Sequence, residues 1–330
     1  MQWRNSTNRM KKVFISFLLL LSCMAQIVAQ SDSQISQYTF FPSAFNPAAV
    51  GETGMIQAVL MNRMDFLMMA NGVNTFNVGV NMPFSVGNSS HGVGIRFVDR
   101  TLGALWSYQN AYLQYAYKHT TPIGRFSVGF DVGFINSRID GTQAIPDPTP
   151  PGVEGGEYHE GNDPSIPNAE VSGMRADFNV GVIYSFERGY VGISATHITR
   201  PVLQIDEFLT DSILRGMHIV GAYEFRIPDT KLTVKPHTLF KTNFVFWDWH
   251  LGALFEYDEK FWGGLSYRPR NTVGVMAGLN IMSGLSVGIV YDLPITRLIT
   301  TAGSVELVVE YNFEFIRNRG TNRHKSIRIL

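Results

Sequence analysis

What constrains this chain most is a period of two in its apolar residues. Along 125–135, Phe126, Val128, Phe130, Val132 and Phe134 take one face, and Ser127, Gly129, Asp131 and Gly133 the other. Along 174–187, Ala176, Phe178, Val180, Val182, Tyr184 and Phe186 oppose Arg175, Asp177, Asn179, Gly181, Ser185 and Glu187. The alternation returns at 74–82 and 303–315. Side chains alternate sides along a strand, so these segments read as strands with one apolar face. Sandwich strands usually run five or six residues, whereas these run nine to fourteen, the length that crosses a bilayer at a tilt. No later stretch approaches the ~18 uninterrupted apolar residues a spanning helix needs. Lipid cannot satisfy an open sheet edge, so such strands must close on themselves. The expected fold class is all-β: a transmembrane antiparallel β-barrel of about fourteen strands.

Fourteen segments are expected, at 55–66, 74–82, 89–99, 105–118, 124–138, 174–187, 190–198, 215–227, 231–241, 244–257, 260–268, 272–281, 285–292 and 303–315. The connections test that count, because bacterial barrels pair short periplasmic turns with longer outer loops. Thr121-Pro122-Ile123, Arg188-Gly189, Pro228-Asp229-Thr230, Asp258-Glu259 and Ser283-Gly284 all follow even-numbered strands. The long connections 140–173, 199–214 and 293–302 all follow odd-numbered ones. The expected order is a signal peptide at 1–29, a periplasmic segment at 30–54, a barrel at 55–315 with a long extracellular loop at 139–173, and a basic periplasmic tail at 316–330. Both termini are thus expected in the periplasm.

The signal reading rests on Arg4, Arg9, Lys11 and Lys12, a short apolar run over 13–21, and small residues near Ala25 and Ala29. Cys23, the one cysteine, is either removed with this region or lipidated; cleavage after Ala29 leaves a mature chain without thiol or disulfide chemistry. Charged residues make up only 16%, and Lys+Arg balance Asp+Glu at 27 each, so no net field exists to draw nucleic acid. The tail carries Arg317, Arg319, Arg323, His324, Lys325 and Arg328, and reads either as a partner contact or as a solvated terminus.

One stretch fits neither signal nor strand. Along 37–51, Gln37-Tyr38 leads to Asn46-Pro47-Ala48-Ala49-Val50-Gly51, and the two prolines at 42 and 47 forbid a ladder strand. With the first strand centred on Arg63, this stretch resembles the start of the PorP/SprF family of type IX secretion system membrane proteins. The closing part agrees through Tyr267-Arg268, the run from Gly278 to Tyr291-Asp292, and Ser304-Val305-Glu306-Leu307, where the family often has Ser-His-Glu-Ile. The chain departs from the family at Arg63-Met64-Asp65-Phe66, where Arg-x-Gln-Trp is usual.

The resemblance implies a non-enzymatic outer-membrane barrel of Bacteroidota-type bacteria that supports export or surface retention of cargo with C-terminal sorting domains, gliding adhesins included. It implies secretion components and peptidoglycan-associated periplasmic proteins as partners, and no cofactor. The alternative, raised by the barrel itself, is a porin or hydrophobic-solute transporter.

Candidate site residues follow from both readings. Gln37, Tyr38, Asn46, Pro47, Ala48, Gly51 and Arg63 form either a plug or docking segment or a simple strand-leading arm. Tyr38, Phe40, Phe41 and Phe45 need burial, in the lumen or against a partner. Polar residues on lumen-facing positions, Arg96, Asp131, Arg175, Asp177, Arg268, Asp292, Glu306 and Glu310, line an ion path or pair within a filled interior. His91, His119, His197, His218, His237 and His250 accompany no nucleophile motif. In the long loop, Asp147, Glu154, Glu157, His159, Glu160 and Asp163 lack regular calcium-loop spacing and read as solvated acid. Trp106, Trp247, Trp249 and Trp262 with Tyr108, Tyr112 and Tyr257 are expected to form an interface girdle.

Overall fold

The structure is a computed structural model. It describes residues 33–87, 89–143, 167, 169–206 and 209–314. The acidic candidates between Asp147 and Asp163, the signal region and the tail 316–330 lie outside these.

Fourteen strands form one ring: β1 Ile56–Asp65, β2 Val73–Val86, β3 Ser89–Leu102, β4 Trp106–Thr121, β5 Gly124–Asp140, β6 Glu170–Phe186, β7 Gly189–Thr196, β8 Gly216–Tyr223, β9 Leu232–Thr242, β10 Trp247–Tyr257, β11 Phe261–Arg268, β12 Thr272–Met282, β13 Leu285–Pro294 and β14 Ser304–Phe313. Every neighbour is antiparallel, and Phe225–Arg226 continues β8 along β9. The ring closes between β1 and β14, in register from Ile56↔Phe313 to Asp65↔Ser304. The closed fourteen-strand barrel is the fold that the alternation demanded.

The residues at 122–123, 187–188, 258–260 and 283–284 make short turns at one end, where β1 begins and β14 finishes; we call it the turn end. Asp258 and Glu259 adopt φ of 53° and 56° there, the left-handed geometry of a tight hairpin. The opposite, loop end carries the long connections. Leu113, Phe130, Phe134, Leu265, Val275 and Ile289 point outward and are exposed. Such a band is costly in water and suits lipid. Inward positions are instead polar, glycine or filled.

The long connection at 199–214 holds pairing of its own, Val202–Gln204 antiparallel to Thr210–Ser212. Its Leu203 and the flanking Ile205 and Ile213 bury against Ile135 and Ile139, beside Trp106 and Tyr108. Those isoleucines share the inward parity of Asp131, so the hairpin folds over the lumen at the loop end; each buried aliphatic side chain contributes ~1.5–3 kcal/mol.

The girdle is smaller than expected. Trp249 and Tyr257 are exposed, but Trp262 and Tyr112 are buried on the inward face. Strand parity sends both inside, Trp262 beside the end of β11 and Tyr112 in the middle of β4.

Candidate functional site

Residues 33–54 lie inside the barrel. The aromatic burden explains this: Tyr38 and Phe41 are fully buried, Phe45 nearly so, and together they form the main core cluster with Val59, Met61 and Val308 of the wall. The segment makes two short 3-10 turns, Pro42–Ala44 and Pro47–Ala49, each starting on a proline whose missing N–H costs nothing there. We call it the plug.

Its first anchor joins sequence ends that are far apart. The Glu306 carboxylate on β14 accepts the backbone N–H groups of Ser36 and Gln37, both at 2.7 Å. Arg63 Nη1 reaches Asp292 Oδ2 at 2.7 Å and Glu306 Oε2 at 3.1 Å. Arg268 donates to Ser36 Oγ at 2.6 Å and to Gln34 Oε1 at 2.8 Å. Ser36 Oγ in turn donates to Asp292 at 2.5 Å. Two guanidinium groups and the Asp292 carboxylate therefore converge on the Ser36 hydroxyl while Glu306 takes its backbone N–H, all buried. These wall residues sit near the loop end, as does Lys241, which donates to the Ser33 carbonyl at 3.2 Å. The described plug starts there and descends to enter β1 at the turn end.

The second anchor is Asn46. Its Oδ1 accepts the Ala48 N–H at 3.0 Å and caps the second 3-10 turn, while Nδ2 donates to the Val182 and Ile193 carbonyls, each at 3.1 Å. Such an approach needs a wall without side chains: a Cβ on Gly181 would lie 2.1 Å from Asn46 Oδ1. Nearby, the Phe45 carbonyl accepts from Ser194 Oγ at 2.6 Å, and Gln114 donates to the Ser43 carbonyl at 3.0 Å. Gly51 adopts φ of 67° and donates its N–H to Asn81 at 2.9 Å.

The third anchor, Glu52, was not singled out from sequence. It is bonded by Lys118 and Arg125, and accepts from Ser185 Oγ at 2.9 Å. Burial alone would raise its carboxyl; the Lys118 and Arg125 charges and hydrogen bonds outweigh that and hold it below the ordinary glutamate value. At Tyr38, burial, then Tyr190, pushes the hydroxyl well above its usual range, so it stays neutral. The Tyr38 ring meets His237 and His250 edge-on, at centroid distances of 5.3 and 5.1 Å.

The remaining wall candidates divide. Arg96 lies over the Tyr112 ring at 4.5 Å and 3.7 Å from Asp131. Asp177 accepts from the Tyr112 hydroxyl at 2.8 Å and contacts His197 Nδ1 at 2.8 Å. Glu310 accepts from Gln57 at 2.7 Å. Arg175 shares the inward parity of Asp177 yet is exposed, its guanidinium donating to the adjacent Met174 carbonyl at 2.9 Å. It stands too near the loop end to be enclosed, and belongs outside the interior network. Among the described residues no three His, Cys, Asp or Glu side chains group as a metal site.

The barrel is similar to the Ralstonia pickettii toluene transporter TbuX, at 13% identity and TM-score 0.47, covering 85% of this chain and 94% of that one. It is also similar to the CymD monoaromatic hydrocarbon channel, at 12% identity and TM-score 0.48, covering 88% and 96%. A Pseudomonas aeruginosa FadL homologue follows at 10% identity and TM-score 0.44, covering 82% and 94%. No curated protein matches the chain. The family described as type IX secretion system membrane protein PorP/SprF matches residues 27–311, and the chain, an outer-membrane barrel, belongs to that family.

Proposed function

We propose that this barrel is a plugged, non-enzymatic accessory component of the type IX secretion system. It supports export or surface anchoring of cargo with C-terminal sorting domains, gliding-adhesin cargo included, without passing that cargo through its own lumen. The observation that carries this reading is the filled interior. Residues 33–54 occupy the lumen and are held by buried charge at Ser36 and at Glu52. A polypeptide has no path there unless both anchors break. In this reading the turn end faces the periplasm and meets secretion components and peptidoglycan-associated proteins.

The test pairs two measurements. In a planar bilayer the purified barrel stays silent, whereas a variant lacking residues 33–51 conducts. In cells, deletion of the gene leaves sorting-domain cargo unexported or unattached. Normal cargo export in the deletion strain would sink the secretion role. A steady current from the intact barrel would favour the alternative, a porin or hydrophobic-solute transporter.

A further inference from the structure

The barrel wall is not of even height. β1, β13 and β14 have ten residues each, whereas β5 and β6 have seventeen. All five start or finish at the turn end, so the difference falls at the loop end. At about 3.3 Å per residue and a tilt of about 40°, ten residues rise ~25 Å and seventeen ~43 Å. The apolar band of an outer-membrane barrel is itself ~25 Å tall. The wall at β5 and β6 therefore stands clear of the hydrocarbon, while the wall at the seam of β1 and β14 ends at its boundary.

Two neighbouring loops crown that low side. The 66–72 connection contains no charged residue, and 295–303 contains only Arg297. Leu67, Met68, Met69, Ile295, Leu298 and Ile299 are all exposed, a cluster that is costly in water. Ile295 continues the outward series of Ile289, Tyr291 and Leu293, so this patch is one surface with the lipid-facing band. The loops also close their backbone on themselves. Leu67 and Met68 donate to the Gly303 and Thr301 carbonyls at 3.2 and 3.1 Å, which joins the two loops, and Met69 donates to the Phe66 carbonyl at 2.9 Å. Ile295 donates to the Asn271 carbonyl at 2.9 Å and Ile299 to that of Thr296 at 3.1 Å. On the outer face the Tyr291 hydroxyl donates to the Ala302 carbonyl at 2.9 Å. Water would supply such partners to a free loop; at the edge of the hydrocarbon they must come from the protein.

We propose that 66–70 and 295–299 form a lip seated in the membrane. Their apolar side chains enter the acyl region of the leaflet at the loop end, and their backbone lies at the level of the lipid head groups. The occupant of the patch is lipid rather than a protein surface, because the patch continues the lipid-facing band and sits at the height where that band ends. Arg297, the one charge, is long enough to keep its guanidinium among the head groups while its stem lies on the apolar side. The lip sets how deep the barrel rides. It also opens the loop-end mouth at head-group level on the seam side, beside the plug anchor formed by Arg63, Asp292 and Glu306. The contact is independent of cargo and of the proposed secretion role.

Nitroxide labelling of the full chain in phospholipid vesicles tests the lip. Cys23, the one cysteine, is replaced by serine, and the label is carried in turn by Met68→Cys, Ile299→Cys, Leu265→Cys and Ser172→Cys. Leu265 lies in the apolar band, and Ser172 has outward parity near the top of the tall wall. Labels at 68 and 299 should collide with dissolved oxygen several-fold more than with a water-soluble nickel chelate, as at 265. The label at 172 should favour the chelate. Independently, benzophenone carried by Met68→Cys in native outer membrane should, on irradiation, add the mass of a lipid to the barrel. Chelate contact at 68 and 299 equal to that at 172 overturns the proposal, as does an oxygen preference at 172 matching that at 68. So does a benzophenone adduct with another protein or with a second copy of this chain.

Discussion

Arg63 on β1 and Glu306 on β14 are direct cross-strand partners at the seam that closes the barrel, with Nη1 and Oε2 3.1 Å apart. The same carboxylate holds the Ser36 and Gln37 N–H groups. Barrel closure and plug anchoring thus share one charge. Removing it leaves Arg63 buried beside Asp292 with two backbone donors unmet. Glu306→Ala should cost ~3–5 kcal/mol, the penalty for breaking a buried pair. Urea unfolding in liposomes measures the loss; a change under ~1 kcal/mol contradicts the shared-anchor account.

Asn46 offers a sharper comparison. Asn46→Ala loses the cap and both wall contacts. Asn46→Asp keeps the cap acceptor but turns a carboxylate on the Val182 and Ile193 carbonyls, which accept and cannot donate. The aspartate variant should therefore be the less stable, by about 1–3 kcal/mol. Chymotrypsin cleavage within 38–45 reads plug release in both, and the reverse order refutes the assigned amide orientation.

Gly181→Ala places a methyl 2.1 Å from Asn46 Oδ1, whereas at Gly221 the nearest atom to a new Cβ lies at 3.5 Å. Overpacking costs ~1–3 kcal/mol, so Gly181→Ala should loosen the plug and raise chymotrypsin cleavage. Gly221→Ala should behave as wild type in the same digest.

Acid should weaken the turn-end anchor. The Glu52 carboxyl is held below its ordinary 4.5, so its contribution is fully present above that value. It is lost as pH falls through the lower folded value. Below about pH 4.5 the wild-type plug should become progressively more exposed to pepsin. Glu52→Gln should be looser already at neutral pH and lose the Glu52-linked part of that acid response. An unchanged acid response in Glu52→Gln assigns the transition elsewhere.

Much of the architecture was legible because the relevant physics is local. Side-chain alternation at Phe126–Phe134 or Val305–Phe315 needs no distant partner to be read, and the Asp258-Glu259 and Ser283-Gly284 turns mark strand ends by their own chemistry. Gln37, Arg63, Arg268, Asp292 and Glu306 stood out as separate positions, and the structure brings all five together. Ser36 and Glu52 carried no signal: a serine beside a motif and a lone glutamate look like surface residues until their partners, 270 and 66 positions away, are known.

The misplacements share that cause. Trp262 lies near a strand end and Tyr112 in mid-strand, and inward parity buries both; Arg175 has the inward parity but stands where the wall no longer encloses it. The hairpin at 202–212 needs Ile135 and Ile139 beneath it, and its short strands show no period of their own.

By itself the sequence determined a barrel of fourteen strands, its apolar exterior and an aromatic segment that had to be buried somewhere, because alternation, turn residues and hydrophobic burden act over a few positions. Only the tertiary structure decided where that segment goes. Its place depends on Glu306, Asn81, Val182 and Lys118 meeting inside one closed ring, and closure sets their distances.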